Sequence, residues 1–105
     1  MIYGETTFDL SSALFHYGLN GNQLAVYSYL KFCSGSRNAC QVKIKTVAES
    51  CGISQATARR ALHELREQGF LDIKGNAQKL KTGGRRQTCN RYYLLDRSEW
   101  KRRSA

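Results

Sequence analysis

The polar residues best suited to specific contacts lie between Lys45 and Leu65, where amide and guanidinium side chains recur at helical spacing. Glutamine can form two hydrogen bonds to the edge of adenine, and arginine can do the same to guanine. Gln55 and Arg59 are four residues apart, so in a helix both would project from one face. These two side chains are therefore the leading candidates for contacts with nucleic-acid bases.

Other residues of the same stretch suit a supporting role. Thr57 is a third candidate for base contacts, through a thymine methyl group, although a threonine can equally contact a phosphate. The candidates for phosphate contacts are Lys45, Thr46, Ser54, Arg60 and His63. A simpler interpretation is a solvated helix face whose arginines pair with Glu64 and Glu67. Both acids fall towards the end of the predicted helix, so we favour the binding interpretation.

These candidates depend on a helix-turn-helix backbone over about residues 45–68. Gly52 suits the left-handed residue that ends a short helix, Ile53 fills the space between two helices, and Ser54 caps the second helix. The predicted inward face of that second helix consists of four apolar residues: Ala58, Ala61, Leu62 and Leu65. With this face directed inward, the glutamine and arginines point outward.

The remaining segments predict a mainly α fold with a small β-hairpin, organised as one domain over residues 1–105. A lead-in (1–19) contains a short helix capped at Asp9 or Ser11, and a long helix follows over Gln23–Phe32. Its apolar Leu24, Tyr29 and Phe32 predict that it is covered on more than one side. The other predicted elements are a short strand at 41–44, hairpin strands at 70–74 and 91–95 that form a wing over about 70–95, and a basic tail at 96–105.

The net positive charge of the chain favours a polyanionic binding partner. The chain of 105 residues has 17 Lys and Arg against 8 Asp and Glu, a formal net charge of +9. Double-stranded DNA is the partner that best fits this charge and the predicted helix, although anionic membranes also attract basic residues. The predicted wing tip carries four cations that could contact phosphates or a minor groove: Lys79, Lys81, Arg85 and Arg86.

Several other functions find little support in the residues. Cys33, Cys40, Cys51 and Cys89 include no closely spaced pair, so we expect reduced thiols and no bound metal. We see no catalytic cluster and expect no enzymatic activity, no cofactor and no small-molecule ligand. The first residues do not resemble a signal peptide, and no stretch is apolar enough for a membrane span, so we expect a cytoplasmic protein.

Four short motifs together carry a family resemblance: Ile44–Ala48, Cys51–Ser54, Ala61–Leu65 and Gly69–Leu71. With them the chain resembles winged helix-turn-helix proteins, with a three-helix core and a wing. More narrowly, residues 8–95 resemble the helix-turn-helix family found in bacterial, phage and mobile-element regulators and in plasmid replication initiators. The resemblance implies sequence-specific binding of double-stranded DNA and a closing wing strand over Asn90–Leu94.

Three functions remain open at this point. The chain could be a transcriptional regulator, the DNA-binding domain of a plasmid or phage replication initiator, or a winged helix that binds another protein. The apolar surplus of Leu24, Tyr29 and Phe32, together with Trp100, could form a partner interface and makes a homodimer a candidate assembly.

Overall fold

Three helices and three short strands make up the part of the chain that the computed structural model describes, residues 10–75 and 90–101. The helices are α1 (Gly21–Ser34), α2 (Ile44–Cys51) and α3 (Gln55–Glu67). The strands are β1 (Ala39–Val42), β2 (Leu71–Gly75) and β3 (Asn90–Leu94). This is the predicted winged helix-turn-helix, mainly α with a small sheet. No helix within the described ranges is long and apolar enough to cross a membrane.

The N-terminal lead-in forms a short 3₁₀ helix over Ser12–His16. The prediction of Ser11 as a cap is confirmed, because its hydroxyl accepts a 3.3 Å hydrogen bond from the Ala13 N–H. Leu14 is buried in the core that the lead-in shares with the three helices. Asp9, the alternative cap, lies outside the described residues.

Helix α1 starts two residues earlier than predicted, because a reciprocal pair of hydrogen bonds fixes its first turn. The Asn20 Oδ1 accepts from the Gln23 N–H at 2.8 Å, and the Gln23 Oε1 accepts from the Asn20 N–H at 2.9 Å. Three apolar residues of α1 are buried in the core: Val26, Tyr27 and Leu30. Leu24 and Tyr29 also pack against the core, in line with the prediction that α1 is covered on more than one side. The Phe32 side chain stays exposed.

The turn between α2 and α3 has the conformation predicted from Gly52 and Ser54. Gly52 adopts the left-handed conformation with φ 68°, and the Ile53 N–H donates to the Ala48 carbonyl at 3.0 Å. Ser54 then caps α3 by accepting a 3.1 Å hydrogen bond from the Thr57 N–H. The predicted inward face is confirmed, since Ala58, Ala61, Leu62 and Leu65 are all buried.

The first strand lies two residues earlier in the chain than predicted. The alternation over residues 41–44 predicts a strand there, but β1 covers Ala39–Val42, Lys43 is the residue before α2, and Ile44 begins that helix. The cause is the register of the sheet, in which Val42 pairs with Asn90, the first residue of β3. Ile44 therefore packs against the core from a helix and not from a strand.

The sheet is antiparallel with the order β1-β3-β2, so the predicted hairpin of β2 and β3 gains a third strand. Each hairpin strand differs from its predicted bounds by one residue. Leu71 pairs with Leu94, and Ile73 pairs with Tyr92. The core side of the sheet includes Tyr92 and Leu94, both buried against the helices.

The segment expected to begin a basic tail folds back onto the core. Asp96 caps a 3₁₀ helix over Arg97–Glu99. The Trp100 ring then stacks on Phe70, with 4.6 Å between ring centroids, and its Nε1–H donates to the Leu95 carbonyl at 3.3 Å. Up to residue 101 this segment therefore packs against the core, and Trp100 is half-buried in that packing. Favourable aromatic packing is the physical reason.

Candidate nucleic-acid interface

The outer face of α3 presents the predicted base-contacting residues together. Gln55 and Arg59 are exposed on adjacent turns, and Ala56 and Arg60 are exposed beside them. This face lies opposite the buried alanines and leucines, because side chains of a helix turn by about 100° per residue. The first two turns of α3 therefore present an amide, two guanidinium groups and a small methyl group to solvent.

The charges on this face are distributed unevenly along α3. In the described part of the chain, neither the Arg59 nor the Arg60 side chain forms an ion pair or a hydrogen bond. Glu67, near the end of the helix, instead accepts from the His63 Nε2 at 2.9 Å. A contact of His63 with a phosphate would have to compete with that carboxylate. The positive charge is therefore least compensated at the start of α3.

Ser54 and Thr57 are bound to each other at the start of α3. The Ser54 hydroxyl donates to the Thr57 Oγ1 at 2.8 Å while it accepts from the Thr57 N–H. The Ser54 hydroxyl proton and one of its lone pairs are thus used by the cap. A phosphate beside Ser54 would meet the free N–H groups of the first turn of α3 more readily than the serine hydroxyl.

The start of α2 has a different character, because no side chain caps it. The N–H groups of its first turn are left for solvent or for an anion. Lys45 and Thr46, two predicted phosphate contacts, are exposed in this turn, and Lys43 is exposed immediately before it. Sequence reasoning missed Lys43 because it was assigned to the first strand.

A second group of cations lies at the base of the wing. Arg91 on β3 pairs with Lys74 on β2 and with Gln41 on β1, and all three side chains are exposed. The Lys74 Nζ also lies 5.7 Å from the centre of the Tyr93 ring. Like charges in directly opposed positions repel each other, and a bound anion would relieve that repulsion. The predicted hairpin strands already set Lys74 opposite Arg91, so working out their register would have located this group from the sequence.

The wing-tip residues Lys79, Lys81, Arg85 and Arg86 lie outside the described residues, as does Cys89. Their contacts with phosphates or a minor groove stay a prediction.

The three described thiols, Cys33, Cys40 and Cys51, are partly buried and free. Burial and the neighbouring Cys33 raise the pKa of the Cys40 thiol to about 11, and the same two causes raise the pKa of Cys51. Within residues 10–75 and 90–101, no group of three His, Cys, Asp or Glu side chains is arranged to hold a metal ion. Cys40 and Cys51 therefore remain protonated at neutral pH and pack against the core as small apolar residues.

The fold and the exposed start of α3 define a helix-turn-helix DNA-binding domain of the winged class. Residues 17–71 match the sequence profile of the helix-turn-helix domain family, so the chain belongs to that family. A search of curated protein sequences found no match.

One solved structure with a similar fold is that of a possible transcriptional regulator from Methanosarcina mazei. The two superpose with a TM-score of 0.56 at 17% sequence identity, over 78% of this chain and 61% of the other. The chain thus spans about three-fifths of the length of that protein. At this identity the comparison establishes the shared fold.

Proposed function

We propose that the protein binds specific sequences in double-stranded DNA and acts as a transcriptional regulator of a bacterial, phage or mobile element. The exposure of Gln55 and Arg59 on adjacent turns at the start of α3 carries this proposal. With α3 in the major groove, Gln55 pairs with adenine and Arg59 with guanine, each through two hydrogen bonds. Thr57 contributes its methyl group, since its hydroxyl is bound to Ser54.

Phosphate contacts on either side of α3 set the register of the protein on the duplex. Lys45, Thr46 and the uncapped first turn of α2 hold one strand, and Lys43 adds a cation at the same place. Arg60 contacts a phosphate beside α3. In this proposal the wing supplies further contacts through Lys79, Lys81, Arg85 and Arg86.

Selection of bound sequences from a random pool of DNA duplexes tests the proposal. The protein should enrich one short sequence, and its affinity for that sequence should fall steeply with salt, because each neutralised phosphate contributes about −0.9 to the slope of log K against log salt. Lys43→Gln and Lys45→Gln should each reduce the slope by about 1. A protein that binds no duplex in dilute buffer, or binds every sequence equally, would overturn the proposal.

A further inference from the structure

A cavity of about 470 Å³ lies between the lead-in, α1, Asn38 before β1, and the segment that runs from the end of β3 to Trp100. Its volume is within the range of sites that bind small molecules, roughly 300–1,000 Å³. Its lining includes none of the residues that form the candidate DNA interface. The cavity is therefore a separate feature of the molecule with no role in the proposed DNA contacts.

Two aromatic residues line the cavity, and one of them carries an unused polar group. Trp100, Tyr27 and Leu94 line it. Tyr27 is only 5% exposed, and its hydroxyl has no hydrogen-bond partner among the described residues. Every fully buried side-chain nitrogen or oxygen in that part of the chain does have a partner, so the Tyr27 hydroxyl must keep access to solvent. Burial raises the Tyr27 pKa, so the hydroxyl stays protonated and can donate to a ligand.

The polar residues that line the cavity carry an excess of positive charge. Lys31 donates from Nζ to the neutral Asn38 Oδ1 at 2.8 Å, which leaves its charge uncompensated. Arg97 has no ion pair in the described part of the chain. The one acid of the lining, Asp96, already accepts from the Arg97 N–H and from the Ser98 hydroxyl. An anion would therefore meet two cations and one occupied carboxylate.

We propose that this cavity binds a small aromatic monocarboxylate. The ring lies against Trp100 and Tyr27, where a flat apolar body gains most from aromatic contact. The carboxylate accepts from Lys31 and Arg97, and charged partners make these hydrogen bonds strong. The Tyr27 hydroxyl supplies the third donor. A ligand that lacks either the ring or the negative charge loses part of these contacts and should therefore bind more weakly.

Trp100 is the sole tryptophan of the chain, so it reports directly on the site. The 105-residue chain is titrated with benzoate and with naphthoate while Trp100 fluorescence and its indole N–H resonance in NMR spectra are followed. Both probes are compared with benzamide, which lacks the charge, and with acetate, which lacks the ring. We expect a saturable response to at least one aromatic carboxylate and at least about tenfold weaker binding of the two controls.

Substitutions of lining residues test whether the fluorescence and NMR response arises from binding in the cavity. Lys31→Met and Arg97→Gln should each weaken binding about tenfold, because each removes a charged hydrogen bond. Tyr27→Phe should weaken it by a smaller factor, and Arg66→Gln, which removes an exposed cation outside the cavity, should leave it unchanged. Absence of a saturable response to both probes, equal binding of benzamide, or unchanged binding by folded Lys31→Met and Arg97→Gln proteins would overturn the proposal.

Discussion

Gln23 and Gln68 join the start of α1 to the end of α3 through a buried hydrogen bond. The Gln23 Nε2 donates to the Gln68 Oε1 at 2.8 Å, and both side chains are buried. The Gln23 Oε1 also accepts from the Asn20 N–H, and the Gln68 Nε2 lies 3.4 Å from the Tyr17 carbonyl. This polar connection fixes the C-terminal end of the helix whose other end carries the candidate base contacts.

Breaking this connection should destabilise the fold. In Gln68→Leu the Gln23 amide loses its buried acceptor, and we expect the free energy of unfolding to fall by about 1–3 kcal/mol, the cost of an unsatisfied buried donor. Urea denaturation monitored by circular dichroism measures the loss. The exposed Gln55→Ala variant is the control and should change stability by less than about 0.5 kcal/mol. A Gln68→Leu protein as stable as the wild type would contradict this role.

Three glycines should respond differently to alanine. Gly69 has φ 78°, and an added Cβ there would collide with the Glu99 carbonyl, so Gly69→Ala should be the most destabilising. Gly52 has φ 68° in open space, so Gly52→Ala should lose only about 1–2 kcal/mol for the left-handed conformation.

Gly21 is the control for this series, because it is helical and an added Cβ meets no atom. Gly21→Ala should leave the protein unchanged or stabilise it by about 0.4–1 kcal/mol. Thermal unfolding of the three variants ranks them. A Gly69→Ala protein more stable than Gly52→Ala would refute the packing of the C-terminal segment against the end of α3.

Ser54 allows the capping role to be separated from contact with DNA. Ser54→Asp retains a good N-cap, so its stability should match the wild type, whereas Ser54→Ala should lose about 1 kcal/mol. On the proposed interface the new carboxylate faces phosphates, so Ser54→Asp should lower DNA affinity at least about tenfold. Fluorescence anisotropy with a labelled duplex gives the affinity. Wild-type affinity in Ser54→Asp would show that the start of α3 lies away from the DNA.

Stability should decrease at alkaline pH because of the partly buried thiols. Burial raises the pKa of the Cys40 thiol to about 11 in the folded protein, whereas its ordinary value is 9.0. The unfolded chain therefore loses this proton first, and the free energy of unfolding falls as pH rises from 9.0 towards 11. The raised pKa values of Cys51 and Tyr27 act in the same direction.

Urea titrations at neutral pH and midway through this interval measure the decrease. Cys40→Ala should reduce it, because the variant removes the group with the largest stated shift. If the free energy of unfolding falls as much in Cys40→Ala as in the wild type, groups other than Cys40 cause the decrease.

Periodicity was sufficient to predict the helix-turn-helix, since strong local signals agree there. Gly52, Ser54 and the alanine and leucine face of α3 each have a steric role that depends on near neighbours in sequence. The start of α1 was also encoded locally, in the Asn20 and Gln23 pair, but the intervening glycine concealed it.

The missed features depend on contacts between distant residues. The bounds of β1 follow from its pairing with β3, about fifty residues later. Trp100 contacts Phe70, which lies thirty residues earlier in the chain, so the basic residues around Trp100 indicated only a tail. The cavity is likewise formed by four separate segments, and no single stretch of sequence indicates it.

The central claim is that the first two turns of α3 recognise bases, and Arg59 compared with Arg66 tests it most directly. Both arginines are exposed and seven residues apart on one side of α3, so Arg66 lies about 10 Å farther along the helix. Affinities are measured for the selected duplex and for a scrambled duplex of equal length. Arg59→Ala should reduce the preference for the selected duplex about tenfold, whereas Arg66→Ala should weaken both duplexes slightly and equally. Equal losses on both duplexes for Arg59→Ala would contradict the account.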